Sequence, residues 1–194
     1  MSTSKYHHGD LRHSLIRAGA ELLRARGPTG LTLRAAARAA GVSPTATYRH
    51  FADKNALLAA IAAEGFAELE QALRAADLGS DGRAALNQQG AAYVAFAIAN
   101  PHLFRLMFAG VQAKQTTTAA CGEGTLLPAP QGAFGVLAAR IAQIAPPGET
   151  ETAIIASWSI VHGLAALILD QRITAADPSA LAARVAACLD FDAK

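Results

Sequence analysis

The segment 31–54, LTLRAAARAAGVSPTATYRHFADK, constrains the fold more than any other part of the chain. Thr32 is a good helix N-cap, and the small and apolar residues after it recur at the three- and four-residue spacing of one buried helix face. Gly41 follows where a residue with positive φ is needed. Ser43 and Pro44 are a second N-cap and a favoured first helical residue. The segment therefore predicts a helix, a tight turn and a second short helix.

The second of these helices is predicted to carry polar side chains that suit contact with DNA. A short helix offers few groups to a groove, and here they are hydroxyls, a guanidinium and an imidazole, which bond to phosphates or base edges. They belong to Thr45, Thr47, Tyr48, Arg49 and His50, where the helix is predicted to end. Phe51 is predicted to anchor that end in the core. Asp53 and Lys54 are predicted to begin the next helix, whose N-terminus suits an anion.

Charge is unevenly distributed along the sequence. Residues 1–54 hold nine lysines and arginines against three acids, a net charge of +6. Residues 55–194 hold eight basic groups against twelve acidic ones, a net charge of −4. A basic end suits a polyanion, whereas an acidic body disfavours coating of DNA by the whole surface. A solvated helix surface is the alternative interpretation of the basic residues.

Two parts of the sequence resemble a known family. The segments YHHGDLRHSLIRAGAELL and LTLRAAARAAGVSPTATYRHFADKNALLAAI resemble the TetR family of bacterial repressors. The later WSIVHG, residues 158–163, is similar to the signature of a C-terminal domain class within that family named for Trp-His-Gly. The resemblance implies three N-terminal helices that hold a helix-turn-helix, and a fourth that links them to a helical ligand-binding and dimerisation domain.

Carried over by position, the resemblance implies DNA contacts on three helices. These are Thr32 and Arg34 at the start of the second helix, Ser43, Thr45, Thr47, Tyr48 and His50 on the third, and Lys54 opening the fourth. With Pro44 and Arg49 they form the predicted DNA-binding residues. Ala46 stands where many members have threonine, which removes one expected phosphate contact.

The whole chain is predicted to be all-α, because no strand-like alternation is long enough to build a sheet. Residues 1–54 are predicted to form the three-helix DNA-binding domain, and residues 55–194 the helical ligand-binding and dimerisation domain. About nine helices are expected, the last six over residues 55–76, 83–99, 101–110, 133–144, 149–172 and 178–189. Residues 112–131, rich in threonine, glycine and proline, are predicted to be a loop.

The run at residues 152–169 holds no acidic or basic residue other than His162, and its length reaches that of a membrane span. Its polar residues, and the lack of a flanking basic cluster, instead favour burial between its own domain and a partner subunit. The last two predicted helices offer small residues and leucines for a four-helix contact about a two-fold axis, as the resemblance also implies. We therefore expect a homodimer through these helices and no membrane, with two recognition helices about 34–36 Å apart on a palindrome.

The second domain is otherwise rich in alanine, so its large apolar residues are candidates for the lining of a ligand cavity. Gln89 and Asn87, with Tyr93 and His162, are the candidate polar anchors. The predicted ligand-binding residues are Phe66, Tyr93, Phe96, Phe104, Met107, Phe108, Phe134, Trp158 and His162. The alternative for any one of them is ordinary core, and for His162 a bond to a buried carbonyl.

Enzyme and metal-binding classes are disfavoured by the pattern of reactive residues. Cys121 and Cys188 lack metal-ligand spacing, and no nucleophile, base and acid assemble. One group has a spacing that suits chelation, but it lies in the basic end where the resemblance places the first helix: His7, His8, Asp10 and His13. No catalytic residue, metal or cofactor is predicted. A polar N-terminus without an apolar signal region, and two distant cysteines, favour the bacterial cytoplasm.

These patterns predict a DNA-binding transcriptional regulator. The preferred interpretation is a repressor that binds a palindromic operator as a homodimer and is released by a small, largely apolar effector. An activator and a ligand-independent DNA binder are the alternatives.

Overall fold

Every regular element in the described part of the chain is an α-helix. The computed structural model describes residues 8–78, 81–109 and 131–189. These ranges hold nine helices and no strand, so the predicted all-α class is confirmed. Their bounds are α1 His8–Gly30, α2 Leu33–Ala39, α3 Pro44–Tyr48, α4 Lys54–Ala76, α5 Gly82–Ala99, α6 Pro101–Phe108, α7 Gly132–Ile144, α8 Thr150–Leu169 and α9 Pro178–Ala186. Cys121 and the predicted loop, apart from Gln131, lie outside the described residues.

Four helices end earlier than the sequence predicts, and one of them, α6, ends at Phe108 instead of residue 110. After Tyr48, the N–H groups of the second and third following residues both donate to the carbonyl of Thr47, which tightens the end of α3 into a turn. After Leu169, Gln171 adopts a φ of 56° and turns the chain out of α8. α9 ends at Ala186, three residues early. Apolar periodicity continues past these points, but the backbone hydrogen bonds decide where each helix ends.

The chain divides into two compact units. The first comprises the described residues 8–65 and 102–109, and the second comprises residues 66–78, 81–101 and 131–189. The helix α4 contributes to both, and α6 belongs to the first unit from its second residue onward. Each unit buries an apolar core of its own.

The first unit is built around α1, which packs against α2, while α2 packs in turn against α3. Its fully buried side chains include Leu15, Leu23 and Leu57. The helix α1 is interrupted near its end at Gly27, which has a φ of 68°. Pro28 follows and has no N–H to donate to the preceding turn, so the regular helix cannot continue through this pair.

The second unit is centred on α5, which packs against α7, α8 and α9. Gly90 of α5 allows α8 and α9 to approach the α5 backbone closely. A Cβ atom at this position would lie 3.2 Å from Cγ1 of Val161 in α8 and 3.4 Å from Cβ of Ala186 in α9. A larger side chain would push these helices apart.

The helices α5 and α8 run in the same direction along their contact. Leu86 of α5 shares an apolar cluster with Ile154 of α8 and with residues of α7. Tyr93, seven residues after Leu86, is hydrogen-bonded to His162, which lies eight residues after Ile154. Because both contacts advance in the same order, the two helices are parallel.

Among the described helices, α8 alone has the length and apolar composition of a membrane span. That composition is weak support for a span, because the core helices of many proteins share it. One face of α8, which includes Ala153, Val161 and Ala165, is buried in the second unit.

Candidate nucleic-acid interface and ligand site

Two hydroxyl caps and one glycine set the path of the chain from α2 to α3. Thr32 Oγ1 accepts a hydrogen bond from the backbone N–H three residues later over 3.0 Å, and Ser43 Oγ does the same over 3.3 Å. Gly41 has a φ of 70°, and the N–H of Val42 closes the turn onto a carbonyl of α2 over 2.9 Å. Pro44 is the first residue of α3. The predicted helix, turn and second helix are confirmed.

The outer face of α3 is exposed. Tyr48 is 54% exposed, and Thr45 and Arg49 are exposed beside it. Phe51 is 2% exposed and holds the following turn in the core, as predicted. Three side chains able to donate hydrogen bonds therefore project from a short helix whose end is fixed by an aromatic anchor.

Positive charge accompanies this face, with little negative charge to oppose it. Arg34 and Arg38 of α2 are exposed. Asp53 is the one acid in residues 31–54, and its Oδ1 accepts the N–H of Ala56 over 2.8 Å to cap α4.

Thr32 and Ser43 are exposed, and their caps use only an acceptor lone pair, so each hydroxyl can still donate its proton to a phosphate. The surface suits a polyanion.

Thr47 does not lie on the exposed face of α3. Its side chain is 0% exposed, and its Oγ1 has no hydrogen-bond partner in the described part of the protein. Because protein atoms cover this hydroxyl, the predicted DNA contact at Thr47 does not fit the structure. Its position four residues before Phe51 places it on the same helical side as that buried anchor, a sequence signal that the hydroxyl obscures.

The interruption of α1 is contacted from two other helices of the first unit. Lys54, the first residue of α4, donates from Nζ to the carbonyl oxygen of Pro28 over 2.7 Å. The ring of His102 in α6 lies against Gly27, where a Cβ atom would be 3.3 Å from Cε1. The Gly-Pro pair in the sequence indicates that the helix is broken here. Its two partners are far away along the chain, so sequence reasoning missed them.

Three predicted ligand residues form a hydrogen-bonded group in the second unit. The hydroxyl of Tyr93 lies 2.8 Å from Nδ1 of His162. The side chain of Trp158 hydrogen-bonds to Tyr93 as well. Because an indole N–H can only donate, the hydroxyl accepts from Trp158, which leaves its own proton available to Nδ1 of His162. Phe134 packs edge-on against Trp158, with ring centroids 5.6 Å apart.

Burial governs the protonation of this group. It lowers the pKa of His162 below the ordinary value, because the surrounding protein disfavours an imidazolium ion. Burial also raises the pKa of Tyr93 well above its ordinary value, and the hydrogen bond from Trp158 opposes part of that rise. Both side chains are therefore neutral at neutral pH.

Two further polar side chains of the second unit are buried without partners. Gln89 is 2% exposed, and neither its Oε1 nor its Nε2 has a hydrogen-bond partner within the described ranges. Ser157 is 4% exposed, and its Oγ is likewise unpartnered there. Gln89 is one of the polar anchors named from the sequence. Ser157 is not identified by sequence reasoning, because the sequence of an apolar helix does not indicate how deeply one of its serines is buried.

The other predicted ligand residues divide between the two units. In the first unit Phe104 packs against Phe108, with ring centroids 4.9 Å apart. Met107 lies close to Gly65 of α4, where a Cβ atom would be 2.8 Å from its Sδ. In the second unit Phe96 is buried and Phe66 is half-buried.

In the ranges that the structure covers, no three His, Cys, Asp or Glu side chains are grouped so that they could hold a metal ion. Of the residues with chelating spacing near the N-terminus, only His13 has a described side chain.

Family models match both parts of the chain. Residues 15–61 match the model of bacterial regulatory proteins of the tetR family. Residues 86–189 match that of the tetracyclin repressor-like C-terminal domain. Assignment to the Trp-His-Gly class stays a prediction. No curated protein matches the sequence.

Several solved structures are similar to this one. A protein with unknown function from Rhodococcus sp. RHA1 is 29% identical, with 96% of each chain covered and a TM-score of 0.74. A putative TetR-family transcriptional regulator from Mesorhizobium loti MAFF303099 is 16% identical, with 95% of this chain and 96% of that chain covered and a TM-score of 0.66. A tetR-family transcriptional regulator from Streptomyces coelicolor is 23% identical, with 96% and 79% covered and a TM-score of 0.67. The last two show a shared fold.

Proposed function

Because the chain belongs to the TetR family of bacterial transcriptional regulators, we propose that it is a repressor that binds a palindromic operator as a homodimer and leaves it when a small, largely apolar effector binds. Residues 1–54 form the DNA-binding part in this proposal. Residues 55–194 hold the effector and the dimer contact, and the protein acts in the bacterial cytoplasm.

The observation that carries this proposal is the exposed, basic face of α2 and α3. Hydroxyl, guanidinium and phenol groups suit the phosphates and base edges of a major groove, and no carboxylate on this face is free of a capping role. We retain all the DNA contacts expected from the sequence except Thr47. The proposed contacts are Thr32, Arg34, Ser43, Pro44, Thr45, Tyr48, Arg49, His50 and Lys54.

A homodimer is supported by the composition and exposure of α8. Only 33% of its most apolar 18-residue stretch is buried within one protomer, and Leu167 is 44% exposed. An apolar helix left uncovered to this extent is stabilised by a partner. One recognition helix reads too few base pairs for specificity, whereas two recognition helices about one turn of DNA apart read a palindrome.

The proposed control is a shift between two dimer states. Without effector, the dimer holds its recognition helices at operator spacing. An effector bound in the second unit favours another tilt of α4, and the altered spacing loses contacts with one or both half-sites. An effector that prefers the DNA-incompetent state by about 3 kcal/mol lowers operator affinity more than a hundredfold.

The first test is selection of fragmented genomic DNA of the host on the purified protein, followed by footprinting and a salt titration of the best fragment. We expect protection of a short palindrome. Diffuse protection without an enriched site would contradict the proposal.

The variant Tyr48→Ala tests the division of labour between the two units. We expect it to lose operator binding and to keep the response of Trp158 fluorescence to any small molecule that the native protein binds. Simultaneous loss of both activities in a folded variant would contradict separate DNA and effector sites.

A further inference from the structure

Gln89 of α5 and Ser157 of α8 are both buried on faces of two helices that pack together. One turn earlier the helices meet in the apolar cluster around Leu86, and one turn later they meet at the hydrogen bond between Tyr93 and His162. Because α5 and α8 are parallel, Gln89 and Ser157 both lie between these two contacts, within about one turn of each other.

This region contains three polar atoms that no described residue satisfies. They are Oε1 and Nε2 of Gln89 and Oγ of Ser157. Leaving a buried donor or acceptor unsatisfied costs about 1–3 kcal/mol. An apolar residue at either position would remove that cost, so the polar pair is expensive unless something binds to it.

The surroundings select against a charged occupant. The helix α5 has no charged residue after Arg83. After Glu151, the only ionisable residue of α8 is His162, whose neutral form is favoured by burial. Arg140 of α7 is held by the carboxylate of Asp77. A lone charge placed in this region would have no ion partner and would lose its hydration.

The donors and acceptors match a carboxamide. The Nε2 of Gln89 can donate to a carbonyl oxygen while its Oε1 accepts an N–H from the same group, and the hydroxyl of Ser157 can donate to the second lone pair of that carbonyl. A carboxylate would place negative charge against Oε1, and an ammonium would leave Nε2 without an acceptor. The indole of the next residue, Trp158, offers an aromatic surface for an apolar body.

We propose that Gln89 and Ser157 recognise an uncharged effector through a carboxamide group, with its apolar part packed beside Trp158. This inference rests on the proposed function, because it names the class of molecule that releases the repressor.

The test uses benzamide as a probe, with benzoate and toluene as matched comparisons. Trp158 is the one tryptophan in the sequence, so its fluorescence reports directly on this site. We expect saturable binding of benzamide to the full-length protein, and binding of benzoate and toluene at least about tenfold weaker. No saturable response to benzamide, or equal responses to all three, would overturn the proposal and leave water as the occupant.

Two substitutions separate recognition from packing. In Gln89→Leu we expect benzamide affinity to fall at least about tenfold while the melting temperature of the free protein stays equal or rises, because unsatisfied atoms are removed. The control Gln88→Leu changes the exposed neighbour and should keep native affinity. Native affinity in folded Gln89→Leu would overturn the assignment.

A second pair keeps the proposal testable if Gln89→Leu does not fold. Ser157→Ala should weaken benzamide several-fold, whereas Ser159→Ala, on the exposed side of α8, should not. Equal affinities in these two variants would contradict the role of Ser157.

Failure of this inference differs from failure of the proposed function. A protein that selects a palindrome but ignores benzamide overturns only the carboxamide assignment. If the protein binds benzamide but selects no DNA site, the proposed repressor function is overturned.

Discussion

The ammonium group of Lys54 donates a hydrogen bond to the carbonyl oxygen of Pro28 over 2.7 Å. This bond joins the first residue of α4 to the interruption near the end of α1, 26 residues earlier in the sequence. Lys54 is also one of the proposed phosphate contacts. A phosphate and the Pro28 carbonyl would share the donors of one ammonium group, so in the proposed function the same side chain would link DNA binding to the geometry of the first unit.

We expect Lys54→Met to lower both the free energy of unfolding, by about 1 kcal/mol, and operator affinity. Arg49→Met is the matched charge deletion on the exposed face. It should keep native stability and reduce the slope of log affinity against log salt by about 0.9. Urea unfolding and salt titrations of operator binding measure both effects. Native stability in Lys54→Met would mean that the bond to Pro28 does not support the fold.

Thr47 and Thr45 should respond oppositely to the same substitution. In Thr47→Val a buried, unpartnered hydroxyl becomes a methyl group, so we expect equal or higher stability, by up to about 1 kcal/mol, and native operator affinity. In Thr45→Val the exposed face loses a donor, so operator affinity should fall about fivefold without a change in stability. Thermal unfolding and operator titration distinguish them. Weaker DNA binding by a stable Thr47→Val would restore Thr47 as a contact.

Two glycines with open space around them should differ because of their backbone conformations. Apart from the adjacent backbone, no atom of the described residues lies within 4 Å of a Cβ built at Gly41 or at Gly163. Gly41 has a φ of 70°, so Gly41→Ala should cost about 1 kcal/mol through backbone strain alone. Gly163 lies within α8, so Gly163→Ala should stabilise the protein by about 0.5–1 kcal/mol. Denaturant titration of both variants checks this. A loss in Gly163→Ala that varies with protein concentration would instead place a partner subunit over this position.

The stability of the protein should decrease as pH falls below 6.5, in part because of His162. Its folded pKa is lower than the unfolded value of 6.5, so the unfolded chain takes up the proton first. The stability that the neutral ring contributes is complete above pH 6.5 and is lost as pH falls from there toward the folded pKa. His162→Gln should remove this part of the pH dependence. Tyr93→Phe should keep most of it, because burial rather than the hydroxyl causes the shift.

Denaturant unfolding above and below pH 6.5 measures these pH effects. An unchanged pH profile in His162→Gln would show that other groups account for the dependence.

The local structure of the first unit could be predicted because its signals are local. A cap such as Thr32 or Ser43 bonds to an N–H three residues away, and a positive φ at Gly41 is a property of that residue alone. The all-α class and the approximate helix bounds follow from apolar periodicity in the same way.

The remaining features depend on contacts between distant parts of the chain. The bond from Lys54 to Pro28 crosses two helices, and the depth of Ser157 is set by the helix packed over it. The sequence predicts an outward Thr47, whereas the structure buries it, because a hydroxyl indicates hydrogen bonding but not direction. Which side of a five-residue helix faces the core is decided by the packing of its neighbours.

The close packing of α5 against α9 at Gly90 also means that the second unit cannot finish folding until α9 has been synthesised. The most extensive helix contact of α5 is with α9, and roughly 80 residues separate the end of one from the start of the other. At about 5–20 residues per second, a ribosome needs roughly 4–16 s to cover that distance. The helices α1 and α2, by contrast, each pack against the next helix as soon as it is made. The face of α5 that packs against α9 therefore stays uncovered for several seconds, and slower translation of the intervening residues lengthens its exposure to aggregation.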